Sequence, residues 1–346
     1  MTERATRTPQ MVEYDRFDDR GEVNYQPYVM YWNRAGYRSD VINTDELGFR
    51  VSHGPDGRTA SMTDLPSGPI RLFAGTSTAL GTGVTSDART VASRLWTEYA
   101  PSTPWLNFAA RSLSSAQEAI AFMLYQHLLP DVREVVLMSG FNNLILSRLP
   151  AQERGPHGAF FFCGEYFEAM EALRARHRKQ QRGLSRLLDR KSDGVSDLFG
   201  KGDRGERGID DFIEEAVDLT ARHLTAWLRL LGPSVPLTYV LQPLSTWYRD
   251  EPSTDERALF DELDRTSKYG TWEGLYGDVS SPEAGAAFAR ALDVACAGLG
   301  VRFVDMNQLM AKATTSDDWL YVDRAHCTDH GNDLIARLVA SELDLH

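Results

Sequence analysis

Five short runs of nearly unbroken apolar residues recur along the chain: PIRLFAG (Pro69 to Gly75), TPWLNFAA (Thr103 to Ala110), REVVLMSG (Arg133 to Gly140), PLTYVLQP (Pro236 to Pro243) and VRFVDM (Val301 to Met306). Each has the length of a strand but lacks the alternation of a strand with one wet face, so each is expected to be covered on both sides. Between and after them the period changes to that of amphipathic helices, over Asp87 to Glu98, Ser114 to His127, Asp210 to Leu231, Pro282 to Ala297 and Asp329 to Leu343. The last of these sets Leu334, Ile335, Leu338 and Val339 on one face and Arg337 and Glu342 elsewhere. Strands alternating with helices predict an α/β fold, a three-layer α/β/α sandwich around a five-stranded, mainly parallel central sheet. A site in such a sheet belongs at the carboxyl ends of its strands.

Two stretches break the alternation. Residues 1–68 show little helical period but hold Tyr25, Tyr28, Tyr31, Trp32 and Tyr37 and the segment NTDELGFR (Asn43 to Arg50), and are expected to form an ordered flanking segment packed on the core. The main domain is then 69–346, with an insertion at about 151–208. Within the insertion Phe160, Phe161, Phe162, Tyr166 and Phe167 could form an apolar lid, and Phe161, Phe162 and Tyr166 are its candidate substrate-binding residues. Arg174, Arg176, Arg178, Lys179, Arg182 and Arg186 follow as a basic face, which reads either as a solvated helix surface or as a dock for an acidic carrier protein.

Composition narrows the classes. With 346 residues, 42% of them hydrophobic, the chain can bury a sizeable core without staples. Cys163, Cys296 and Cys327 are odd in number and have no metal-ligand spacing, so they read as free thiols of a reducing compartment. No window offers the roughly 20 apolar residues of a membrane span, and the polar start has no apolar signal core, so a cytoplasmic location is expected. The net charge of -12 disfavours nucleic acid and anionic lipid as partners. Oligomeric state is not specified by any of this.

The candidate chemistry lies at the strand ends. Ser77 stands in GTSTALGTG (Gly75 to Gly83), beyond the first apolar run, where a hydroxyl and the amides of a helix start are exposed over the sheet edge. AARSLSSAQ places Ser112 after the second run, and SGFNNL places Asn142 and Asn143 after the third. Asp323 precedes His326 by three residues in YVDRAHCTDHGNDLIA, the spacing of a carboxylate that orients an imidazole toward a serine. Each residue also has a plainer reading: Ser77 and Ser112 as turn or cap formers, the asparagines as turn residues, His326 as a core histidine. A metal site of Asp323, His326 and His330 is a further alternative, with no HExxH or cysteine cluster to support it. No P-loop lysine or dinucleotide fingerprint is present, so no cofactor is expected.

Taken in order, GTST, NFAARS, SGFNNL and DRAHCTDHG resemble the four sequence blocks of the SGNH, or GDSL-like, hydrolase superfamily, spread over residues 75–336. The resemblance implies a flavodoxin-like fold with Ser77 as nucleophile, Asp323 and His326 as its partners, and Ser77, Ser112 and Asn142 as the oxyanion hole. It departs at three positions: Thr76 for the aspartate before the serine, Ser112 for the donor glycine, and Asn143 for the aspartate of GxND. The activity implied is hydrolysis of an acyl ester, on an O-acyl sugar or small metabolite, through an acyl-serine. Acyl transfer or thioester cleavage on carrier-bound groups is the alternative, and a non-catalytic binding protein of the same fold is a third.

Overall fold

The structure is a computed structural model that describes residues 2–18, 25–161 and 207–345. The five apolar runs are its central strands: β1 (Ile70–Gly75), β2 (Trp105–Ala109), β3 (Val132–Ser139), β4 (Leu237–Leu241) and β5 (Arg302–Asp305). They form one sheet in the order β2-β1-β3-β4-β5, with every neighbouring pair parallel. All residues of β2 and β4 are buried, which explains why these strands read as continuous apolar runs. Register aligns Gly75 with Ala109 on one side and with Met138 on the other, so the ends of β1, β2 and β3 lie level.

Strand order sets the layers. The step from β1 to β2 runs opposite to the later steps, and right-handed crossovers therefore send its connection to one face and the others to the opposite face. Helices α2 (Ser115–Tyr125), α4 (Ile209–Leu231) and α6 (Pro282–Leu299) pack together, with Phe122 stacked on Trp227 at 4.4 Å. The final helix, α7 (Asp329–Glu342), packs on Val91–Arg94 on the other side. The reversal lies between β1 and β3, and in a parallel α/β sheet it is at such a reversal that the carboxyl ends of the strands leave a crevice. Two short helices border it, α1 (Ser77–Leu80) and α3 (Phe141–Leu146).

Some elements depart from the sequence reading. The helix expected over Asp87 to Glu98 is a 3-10 turn (Asp87–Arg89), an α-helical turn (Val91–Arg94) and a π-helical turn (Leu95–Tyr99). Thr90 interrupts it, because its hydroxyl bonds back to the Asp87 carbonyl and its extended backbone restarts the helix as an N-cap. Between β4 and α6 the chain adds α5 (Thr254–Thr266), opened by a Ser253/Glu256 capping box, and a turn at Trp272–Tyr276.

In the first 68 residues, helices Glu3–Arg7 and Met11–Phe17 precede irregular backbone whose Trp32, Ile42 and Phe49 share one apolar cluster with the sheet. Arg50 is the polar centre of this region. Fully buried, it bonds Asp87 at 2.7 Å, the Tyr14 hydroxyl, and the carbonyls of Val41, Leu80 and Gly81. Removing either member of such a buried pair typically costs about 3–5 kcal/mol, because the other charge is left uncompensated. Arg50 thus fastens the flanking segment to the last carbonyls of α1.

Candidate active site

The turn from β1 into α1 requires Gly75. Its φ is +138°, and a Cβ there would lie 2.0 Å from the Met138 carbonyl oxygen. Thr76 takes the N-cap position and Ser77 begins α1, so the Ser77 side chain emerges at the crevice while Thr76 and Thr78 are buried. Thr76 Oγ1 donates to Gln242 Oε1 at 3.2 Å, Gln242 Nε2 donates to Thr78 Oγ1 at 3.0 Å, and Thr78 Oγ1 donates to the Ala325 carbonyl. Gln242 thereby braces the Ser77 turn from the end of β4, and Thr78 ties that turn to the loop carrying Asp323 and His326. Sequence reading passed over it; the only signal was an amide side chain ending the otherwise apolar run PLTYVLQP.

Ser77, His326 and Asp323 form one hydrogen-bonded chain. His326 Nε2 lies 2.8 Å from Ser77 Oγ, and Nδ1 lies 2.8 Å from Asp323 Oδ2. The other oxygen of Asp323 accepts from the amides of Ala325 and His326, each at 2.8 Å, so the i,i+3 spacing folds into a self-bonded loop. With Nδ1–H donated to the carboxylate, Nε2 is left as the acceptor for the serine proton.

Burial raises the Asp323 pKa, but the His326 charge and the hydrogen bonds from His326 and Ala325 outweigh it and hold the carboxyl below its ordinary value. For His326 burial lowers the pKa, yet the charge and hydrogen bond of Asp323 prevail and the net shift is upward. Arg111 opposes that rise and Asp18 adds to it. The neighbouring Cys327 thiol is buried and pushed far up, chiefly by burial, which keeps it un-ionised and inert.

Beyond β2, Ser112 adopts φ +58°, a left-handed conformation that costs a non-glycine residue about 1–2 kcal/mol. This is the conformation that the glycine of the resembling blocks would supply without cost. Asn142, the second residue of α3, donates from Nδ2 to the Leu113 carbonyl at 2.8 Å, which leaves the second N–H of the carboxamide for another acceptor. Ser77, Ser112, Asn142, Asp323 and His326 are all partly exposed around the crevice, and the residues beneath them are buried. Arg111, buried just before Ser112, pairs with Asp18 and donates to the Tyr31 hydroxyl, which brings the N-terminal segment to the rim.

Other sequence candidates fall elsewhere. Asn143 is buried away from the crevice, and Phe161 packs with Leu146, Leu149 and Ala159. Phe162, Tyr166 and the basic residues from Arg174 to Arg186 lie outside the described residues. His330 is exposed in the first turn of α7, and among the described residues no group of three or more His, Cys, Asp or Glu could hold a metal ion. Among them, too, no helix is long and apolar enough to cross a membrane.

No protein-family model matches the chain, and no curated protein matches it by sequence. Solved structures of esterases and acylhydrolases match it across about 80% of its length at low identity. An aryl esterase of M. smegmatis matches with 12% identity and a TM-score of 0.42, over 80% of this chain and 99% of its own. A lipolytic protein of the G-D-S-L family from Veillonella parvula gives 11% and 0.40, over 79% and 97%. A carbohydrate acetylesterase from Sinorhizobium meliloti gives 9% and 0.41, over 80% and 98%. These likenesses concern the α/β fold with its five-stranded parallel sheet; the chemistry of the site rests on the side chains of this chain.

Proposed function

We propose that the protein is a serine esterase that cleaves acyl esters through an acyl-serine intermediate. The observation that carries this reading is the continuous chain from Asp323 through His326 to Ser77, with both links at 2.8 Å and with Ser77 at the crevice. Ser77 Oγ attacks the acyl carbonyl carbon as His326 Nε2 takes its proton, and Asp323 stabilises the resulting imidazolium. The carbonyl oxygen becomes an oxyanion, met by the amides of Ser77 and Ser112 and the free N–H of Asn142. Collapse expels the alcohol, which takes the proton from His326. Water, deprotonated by the same nitrogen, then attacks the acyl-serine and releases the acid.

The substrate class to test first is an O-acyl group on a sugar or small metabolite. The experiment is hydrolysis of p-nitrophenyl acetate and of a peracetylated sugar by the full chain. Turnover is expected in the wild type and lost in Ser77→Ala. Equal turnover by the two proteins, or none by a folded wild type on either substrate, contradicts the proposal.

A further inference from the structure

Asn143, which stands where the resembling blocks carry an aspartate, makes no contact in the crevice. It is 4% exposed and makes three hydrogen bonds across two helices. Its Oδ1 accepts from the Ser115 amide at 3.0 Å, which fixes the orientation of the carboxamide. Its Nδ2 donates to Ser115 Oγ at 2.6 Å and to Thr220 Oγ1 at 2.8 Å. Thr220 gives its own proton to the Ala216 carbonyl at 2.7 Å, and Ser115 Oγ lies 2.8 Å from His223 Nδ1. The His223 ring is neutral because burial, with His157 and Arg222, lowers its pKa to about 4. Thr220 Oγ1, its proton already given away, needs a donor, while the Ser115 amide needs an acceptor. A carboxamide supplies both and a carboxylate only acceptors.

Asn142 meanwhile grips the Leu113 carbonyl. Two consecutive asparagines of α3 therefore hold the backbone on either side of Ser114, immediately after the strained Ser112. We propose that Asn143 is a positioning residue of the oxyanion hole, which with Ser115, Thr220 and His223 holds the Ser112 turn in its left-handed conformation. The Ser112 amide can face the crevice without glycine because this buried, neutral clamp fixes its neighbours.

This inference rests on the esterase reading, and its test separates the two. With p-nitrophenyl acetate and the full chain, Asn143→Ala is expected to lower kcat about 10-fold or more while KM stays within about threefold, the mark of an interaction made in the transition state. Adding Ser112→Gly to Asn143→Ala should return part of that kcat, because glycine adopts positive φ without the clamp. Thr220→Val, a milder change should Asn143→Ala not fold, should show a smaller loss of the same kind. Unchanged kcat, or a loss that Ser112→Gly does not relieve, overturns the proposal. Hydrogen exchange of the Ser115 amide needs no substrate and should be faster in Asn143→Ala, or in Thr220→Val, than in wild type. Unchanged exchange overturns the clamp whether or not the protein hydrolyses esters.

Discussion

At the histidine end of the site, Asp323 sets a full negative charge 2.8 Å from His326 Nδ1. At the proposed oxyanion end, the groups in and around α2, which follows the Ser112 turn, are neutral at pH 7: Asn142, Asn143, Ser115, Thr220, His223 with its pKa lowered to about 4, and Glu118 with its pKa raised by burial to about 8. Arg111, in the turn itself, is paired with Asp18. The contrast follows the proposed chemistry. A cation forms on His326 and is met by a carboxylate, whereas an anion forms at the oxyanion hole and would be repelled by one. An asparagine at 143 keeps negative charge away from that end, and a protonated Glu118, which accepts from Ser139 Oγ at 2.6 Å, does the same.

The contrast breaks most sharply at Asp323. Asp323→Asn removes the charge but keeps the shape, and kcat is expected to fall about 10,000-fold as the imidazole loses its orienting acceptor. His326 must be neutral to take a proton, so kcat/KM should rise with pH through a midpoint above the ordinary histidine value of 6.5. In Asp323→Asn that midpoint should move down, because the charge that raises it is gone; an unmoved midpoint would show that another group controls the profile. Asn142→Ala tests the neutral end, with an expected loss of about 100- to 1,000-fold in kcat and little change in KM.

A smaller effect is expected at the brace on the Ser77 turn. Gln242→Ala removes the brace on Thr76 and Thr78 while leaving the Thr78 bond to the Ala325 carbonyl, and about a 10-fold loss of kcat is expected, as for other positioning contacts. Full activity in that variant would mean that the strand ends alone align the site. The smallest expected effect is on stability. Glu118 has a folded pKa of about 8 against an ordinary 4.5, so the native state retains a proton that the unfolded chain releases, and stability falls as pH rises between those values. Glu118→Gln should therefore raise Tm more at pH 8 than at pH 4, with a difference of about 2 °C or more. Equal shifts at both pH values would place a charged Glu118 in the fold at neutral pH.

The parts of this architecture that were legible in the sequence are those written locally. The apolar runs marked all five strands, although only β2 and β4 are buried throughout and the edge strand β5 buries Val304 alone. Asp323 and His326 were legible because three residues of separation are enough for the loop to bond itself through the Ala325 and His326 amides. Ser77 and Asn142 followed from their places just beyond strands. Asn143 was visible as a departure, but its partner Thr220 and the His223 that bonds Ser115 come from α4, about 80 residues further along, and no local pattern pairs them. Gln242 was missed for the same reason. Helix α5 was passed over because its charged residues outnumber its apolar ones, although the Ser253 and Glu256 capping box could have marked its start. The Asp87 to Glu98 pattern has the apolar spacing of one helix, and that spacing hides the backward bond from Thr90 to Asp87.

Intact-mass and peptide-mapping spectrometry of the full chain after reaction with a fluorophosphonate tests the proposed site most directly. One adduct per chain, located on Ser77, absent in Ser77→Ala and formed much more slowly in His326→Ala, is the expected result. No adduct on a folded wild-type sample, or an adduct that persists in Ser77→Ala, would contradict it.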